Sequence, residues 1–307
     1  MHHHEISLSR NNTHATAYPG SDALRLHPVD EMRNNRTGTR LSCLSHSFNL
    51  RKQFHVGCWN VRTLMDAGSQ CLTMRSLFDY RVDIACLSEV RIAGCGSKCI
   101  KVPGVDANYW LCHSGVNDNS GLHGVAFALS CRAYDSLLAW TPFSPRLAMA
   151  RFKGTPTNIT VIAVYAPTLN ATPESVVDFY EQLQNVVNGV PRRDILIIAG
   201  DWNARVGPGD SFTRHILGKF GLGQRCSNGD HLVNFADYNR LVVTNTRFQH
   251  PRKHLLTWYS NDGRTAHQLD YILIRSRWIS SVEDCRSYRG AETGNRCGSD
   301  HTLVRAK

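Results

Sequence analysis

The chain contains no apolar run approaching the roughly 18 residues of a membrane-spanning helix, so no membrane partner is expected. No apolar stretch follows Met1 and its three histidines, and no secretory signal peptide is visible. Three histidines are also too few to read as a metal site. Cysteine is not scarce, but it forms no pattern. The eleven residues are an odd number without a C-x-x-C pair, and the closest two are Cys95 and Cys99. That argues against a disulfide framework or a zinc site and for a reducing, intracellular setting, nuclear or cytoplasmic. Acid is in short supply. Asp and Glu number 25 against 35 Lys and Arg, for a net charge of +10 and a pI of about 9.2, a balance that favours polyanionic partners.

What is present suits a packed domain. Of 307 residues, 42% are hydrophobic, enough for a substantial core. Residues 1–53 are rich in Asn, Ser, Thr, Arg and His without a sustained period, and are expected to be disordered or poorly ordered. Residues 1–50 hold five arginines and four acids, so +9 of the charge belongs to the remainder. The folded body is expected to span 54–307. Buried strands are expected at Phe54–Asn60 and Val82–Ser88, a Gly/Lys loop at Gly94–Gly104, and strands at Tyr109–His113, Leu122–Ser130, Leu147–Phe152 and Ile159–Tyr165. A helix over Pro173–Val187 has Thr172 as its cap, Pro173 at its first position and Glu174 in its first turn. Helical spacing recurs over Gln70–Tyr80 and His231–Asn239. Strands are expected at Asp194–Ala199, Leu241–Thr246, Trp258 and Leu269–Ile274, and a last one, Thr302–Val304, has barely begun when the chain stops. Strands mixed with helices imply an α/β domain of mixed sheets covered by helices.

Polar residues recur where these strands end. Asn60 and Glu89 close the first two, Tyr165 precedes Ala166-Pro167, and Asp201 and Asn203 follow Ile197-Ile198-Ala199-Gly200. Asp270 opens Tyr271–Ile274, and Asp300-His301 precede Thr302–Val304. If the strands lie side by side, these groups converge on one edge. They make a kit for phosphodiester hydrolysis, which needs charge neutralisation, a base for water, donors to the transition state and help for the leaving oxygen. Carboxylates suit a hard cation such as Mg²⁺. Glu89 is the first choice as ligand, and His301 is a candidate base oriented by a carboxylate such as Asp270. Asp201 is placed to activate water or protonate the leaving oxygen, and Asn60 and Asn203 to donate to phosphate oxygens. Each residue alone is more often a turn or cap residue; the ordered set carries the reading.

Together these motifs resemble the endonuclease/exonuclease/phosphatase superfamily. They are Cys58-Trp59-Asn60-Val61, Leu87-Ser88-Glu89, Val164-Tyr165-Ala166-Pro167, Gly200-Asp201-Trp202-Asn203, Leu269-Asp270-Tyr271-Ile272 and Ser299-Asp300-His301, spread over about residues 54–306. Within it the chain is similar to the endonuclease domains of LINE-type (non-LTR) retrotransposons and to proteins labelled craniofacial development protein 2-like. The resemblance implies a DNase I-like fold, a two-layer β-sandwich flanked by helices, and a Mg²⁺-dependent endonuclease, with Mn²⁺ as a substitute. Its cut nicks duplex DNA, leaving 3′-hydroxyl and 5′-phosphate ends. Carried onto matching positions, it makes Asn60, Glu89, Tyr165, Asp201, Asn203, Asp270 and His301 the catalytic set, with Glu89, Asn60 and Asp300 around the metal. Abasic-site enzymes carry an acid where this chain has Arg62 and an Asn where it has Thr168, so abasic-site specificity is not implied. Pancreatic-type deoxyribonucleases carry a second histidine near the place of Tyr165, and inositol-phosphatase members carry a segment before Ser-Asp-His with no counterpart here. A retrotransposon polyprotein continues into a reverse transcriptase. That domain is absent from this chain, which reads as a fragment, a domesticated copy or a truncated gene.

Phosphate contacts are expected from basic loop residues: Arg62, Arg91, Lys98, Lys101, Arg205, Arg247, Arg252 and Lys253. A monomer acting on duplex DNA is the expected form. The alternatives are a catalytically decayed nucleic-acid-binding or interaction protein on the same fold, and an enzyme acting on RNA or phosphomonoesters.

Overall fold

The computed structural model describes residues 27–28, 47–118, 120–294 and 298–307. Two seven-stranded mixed sheets face each other. The first runs, in spatial order, Cys285–Tyr288, Leu303–Ala306, Val56–Asn60, Ile84–Ser88, Val125–Ser130, Asn108–Ser114 and Cys95–Lys101. The second runs His27–Pro28, Leu137–Ser144, Leu147–Phe152, Ile159–Tyr165, Ile195–Asp201, Asp270–Arg275 and Leu241–Val243. Each sheet is built around one parallel pair joined through a helix. Val56–Asn60 lies beside Ile84–Ser88 by way of the helix Ala67–Asp79, and Ile159–Tyr165 beside Ile195–Asp201 by way of Pro173–Asn188. Such crossovers need a helix because parallel neighbours cannot be joined by a tight turn.

Strand periodicity divides the residues among three cores. Cys58, Cys86, Val161, Ala163, Ile197, Ala199, Ile272 and Val304 fill the space between the sheets. Their alternates Ile162, Val164, Leu196 and Ile198 pack outward under the helices Pro173–Asn188 and Ser227–Tyr238, whose Phe179, Leu183, Leu232 and Phe235 share that cluster. Trp59, Leu87 and Ala128 pack outward under Ala67–Asp79 with Met74 and Leu77. The result is an α/β/β/α sandwich, as the strand and helix pattern implies. Both crossover helices are capped by side chains: Asp66 accepts the Ser69 N–H at 2.8 Å, and Thr172 accepts that of Ser175 at 3.3 Å, with Pro173 at the start.

Several elements differ from the sequence-based expectation. The packed body starts before residue 54. Phe48 is buried in the inter-sheet core, and Phe48–Asn49 pairs with Gly154–Thr155. Most of the segment expected to be disordered, 1–53, lies outside the described residues. Gly94–Gly104 is not a loop: Cys95–Lys101 is an edge strand, and its polar composition reflects one unpaired side, with only Ile100 buried. Leu137–Ser144 and Cys285–Tyr288 are strands that the sequence reading missed. The strand expected over Leu241–Thr246 stops at Val243. There the Thr244 hydroxyl and Asn245 amide donate to the carbonyls of Ile272 and Asp270, at 2.7 and 3.0 Å, in place of backbone pairing. The last strand runs on to Ala306 between two partners. Among the described residues, no helix is long and apolar enough to cross a membrane.

Candidate active site

The inter-sheet face ends in polar residues at one end of the sandwich. Asn60 continues the parity of Val56 and Cys58, Tyr165 that of Val161 and Ala163, and Asp201 that of Ile197 and Ala199. Asp270 starts the series Ile272, Ile274. Register holds them together: Tyr165 is opposite Asp201, Asp201 opposite Asp270, and Asn60 opposite Ser88, the residue before Glu89.

The side chains meet in one hydrogen-bonded cluster. The Asn60 amide donates to Glu89 Oε1 at 2.8 Å and to Asp201 Oδ2 at 3.0 Å. Since ionised carboxylates only accept, the nitrogen must face them. The Asn60 oxygen then accepts the Arg62 N–H at 3.0 Å. The Tyr165 hydroxyl donates to Glu89 Oε1 at 2.9 Å, and Arg91 Nη2 donates to Oε2 at 3.0 Å. His301 Nδ1 lies 2.8 Å from Asp270 Oδ2, and its Nε2 lies 3.8 Å from Asp201 Oδ2. Asn203 donates its backbone N–H to Asp201 Oδ1 and its amide to the Ala166 carbonyl, both at 2.9 Å. Ser299 pins the far arm by donating to the Asn60 carbonyl at 2.6 Å while accepting the His301 N–H.

Burial makes these charges interact strongly. Asp201 and Asp270 are 1% and 0% exposed. Burial and the charge of Asp270 push the Asp201 carboxyl well up, against the pull of His301. Burial disfavours a charged His301, but Asp270 and Asp201 outweigh it and hold the imidazole above its usual range. At Glu89 burial opposes ionisation, and the donors Asn60, Arg91 and Tyr165 prevail, keeping the carboxyl below the usual carboxylate range. Left-handed backbone concentrates at the site. Of seven described non-glycine residues with positive φ, five are Arg62, Glu89, Arg91, His123 and Asn203, and the other two, Arg81 and Arg240, follow helix ends. Such conformations cost on the order of 1 kcal/mol or more each and persist where their surroundings enforce them.

Asn60, Glu89, Tyr165, Asp201, Asn203, Asp270 and His301 are therefore brought together. Asp300 is not part of this cluster: its carboxylate accepts Trp258 Nε1 at 3.0 Å and faces Arg62 at 3.9 Å. The basic candidates scatter. Arg62 and Arg91 border the cluster, while Lys98 and Lys101 lie on the edge strand that runs away from it. Arg205 is half-buried beside Cys226, Arg247 donates to the carbonyls of Arg214 and His215, and Arg252 and Lys253 are exposed on a short 3-10 turn.

Two residues escaped the sequence reading. Arg146, in the turn before Leu147–Phe152, donates to the carbonyls of Tyr165 and Ala166 at 3.1 and 3.4 Å and lies 4.9 Å from the Tyr165 ring centre. It also reaches His123 Nε2 at 3.3 Å. A guanidinium only donates, so this contact makes Nε2 the acceptor. Burial, with Arg146, holds His123 below the usual imidazole range. The His123 ring centre is 5.8 Å from that of Tyr165, so an imidazole stands beside the tyrosine, delivered by the segment just before Val125–Ser130. The run Ser144-Pro145-Arg146 reads only as a turn, and no spacing signal marked it.

A hard divalent cation fits this donor set. Asp270 Oδ1 is buried without a hydrogen-bond partner, and ligand atoms of Asp201, Asp270 and His301 lie within 4.8 Å of one another.

A fold of two helix-covered mixed sheets with this carboxylate, amide and histidine cluster at one end defines a class. The chain belongs to the endonuclease/exonuclease/phosphatase family, matched over residues 57–301. It is 38% identical over 261 residues to craniofacial development protein 2 of Bos taurus, covering 84% of this chain and 41% of that protein. It thus spans about two fifths of that relative's length. Among solved structures it is similar to the 3′ phosphatase NExo from Neisseria, a single-residue variant bound to product DNA hairpin, with a TM-score of 0.59 and 19% identity, covering 83% of this chain and 99% of that one. The endonuclease domain of TRAS1, a telomere-specific non-LTR retrotransposon, gives a TM-score of 0.54 at 15% identity, over 83% and 98% of the two chains.

Proposed function

We propose that this chain is a divalent-metal-dependent phosphodiesterase of retrotransposon origin that nicks duplex DNA, leaving a 3′-hydroxyl and a 5′-phosphate. The observation that carries the reading is the continuous link from Glu89 through Asn60 to Asp201, with His301 held between Asp201 and Asp270. It acts as a monomer inside the cell, and the net positive charge favours a polyanionic substrate.

Glu89 would hold Mg²⁺ or Mn²⁺, and the partnerless oxygen of Asp270 would offer a further donor. When bound, the cation neutralises phosphate charge and stabilises the leaving oxygen. The chain's own residues supply the rest. Asp201 is the base for water, since burial raises its carboxyl toward neutrality, where a base is most effective. His301, kept protonated by its two carboxylates, donates to a phosphate oxygen instead of serving as the base that the sequence suggested. Asp270 fixes the imidazole through Nδ1. The Tyr165 hydroxyl and the Asn203 amide border the phosphate on the other side.

The test is nicking of supercoiled plasmid with Mg²⁺, with a chelator, and with His301→Ala. Loss of a general acid–base group is expected to slow nicking about a hundred- to ten-thousandfold, and chelation to abolish it. Equal nicking in all three rules the reading out. Turnover of RNA or a phosphomonoester with duplex DNA untouched would move the substrate class and keep the site.

A further inference from the structure

The chain's own donors reach both oxygens of Glu89. Oε1 accepts from Asn60 and Tyr165, which are 1% and 7% exposed and anchored on central strands. Among the described residues, Oε2 accepts only from Arg91, whose side chain is 39% exposed. Oε1 has both lone pairs engaged; Oε2 keeps one, but the guanidinium charge 3.0 Å away opposes a cation there, and that donor is the one able to move off. Arg91 is itself half-satisfied: Nη2 is bonded, while Nε is enclosed without a partner. Nε and Nη2 form the side of a guanidinium that makes paired bonds to a phosphate. Its backbone is left-handed, with φ of 58°, and is tied down by its N–H to the His123 carbonyl at 3.0 Å.

We propose that Arg91 is a positioning residue that competes with the divalent cation for Glu89 and releases the carboxylate when it takes a phosphate of the bound duplex. Cation and DNA binding are thereby linked: the phosphate draws Arg91 off Oε2 and opens the site to the cation. The inference rests on the reading of Glu89 as a cation ligand.

Calorimetric titration of Mn²⁺ into the DNA-free protein tests it. Arg91→Asn removes the charge and tolerates the left-handed backbone, and is expected to bind Mn²⁺ about tenfold tighter, equivalent to about 1.4 kcal/mol. Arg62→Asn is the control. Arg62 is also a site arginine in left-handed conformation, φ 62°, but it faces Asp300; its substitution is expected to change affinity less than about twofold. Arg91→Gln keeps most of the stem and must move the same way as Arg91→Asn, which guards against a folding defect in either variant. Unchanged or weaker binding in the Arg91 variants, or equal tightening in Arg62→Asn, overturns the inference. If the wild type still nicks plasmid in that case, the nuclease reading survives alone; if no variant binds a cation, both fall. On the His301→Ala background, Arg91→Asn is also expected to lower the salt dependence of duplex binding by about one phosphate contact. An unchanged slope overturns the role in DNA binding.

Discussion

Asn60 shows how much one uncharged side chain can do at this site. Its amide lies between two carboxylates that would otherwise repel, and it donates to both. Asn60→Ala removes both donors and leaves Asp201, 1% exposed, short of a partner. Nicking is expected to fall about a hundredfold or more, the usual scale for losing a donor aimed at an active-site charge. A single-turnover nicking assay checks this, and a rate within about threefold of wild type would reduce Asn60 to packing. At this scale the sequence was legible as a set: each acid or amide alone reads as a turn or cap residue, and only their recurrence at the ends of apolar strands pointed to one cluster. Arg146 and His123 were not legible. Their value comes from touching Tyr165 across the fold, and a turn arginine or a loop histidine carries no local mark of that.

Among the elements, the pair Ile159–Tyr165 and Ile195–Asp201 sets the site's spacing. Gly200 lies opposite Val164, and a Cβ there would sit 1.9 Å from the Val164 carbonyl oxygen. The strands can approach this closely only with glycine at that position. Gly200→Ala must push apart the strands that carry Tyr165 and Asp201 one residue further on. A loss of about 2–4 kcal/mol is expected by urea unfolding, with nicking weakened because Tyr165 is drawn away from Glu89. A loss below about 0.5 kcal/mol would show that the pair can separate freely. Central strands, buried on both faces, announce themselves as continuous apolar runs. Strands at an edge or next to one do not. Cys95–Lys101 has one buried residue, and Leu137–Ser144 carries two register shifts and a proline, so neither shows a clean alternation.

For the molecule as a whole, the buried Asp201–Asp270–His301 group ties stability to pH. Asp201 and His301 both hold protons more tightly in the folded state than in an unfolded chain. The native state therefore binds more protons, and the stabilisation is complete below the unfolded pKa values. It is lost as pH rises through the raised folded ones, across neutrality and into the alkaline range. Metal-free wild type is expected to melt progressively lower between roughly pH 6 and pH 9, while Asp201→Asn gives a flatter profile. Added Mn²⁺ should restore the alkaline midpoint by taking the place of the lost protons. Parallel melting curves for the two proteins would separate this group from the pH response.

The left-handed residues around the site set stability against activity. A scaffold released from catalysis would gain stability wherever an arginine, glutamate or histidine in that backbone drifted to glycine or asparagine, about 1 kcal/mol each time. Four of the five are arginine, glutamate or histidine, at Arg62, Glu89, Arg91 and His123, and only Asn203 is of the tolerant kind. At those four places the side chain overrules the backbone's own preference, so glycine or asparagine there is expected to give a firmer fold and a poorer catalyst.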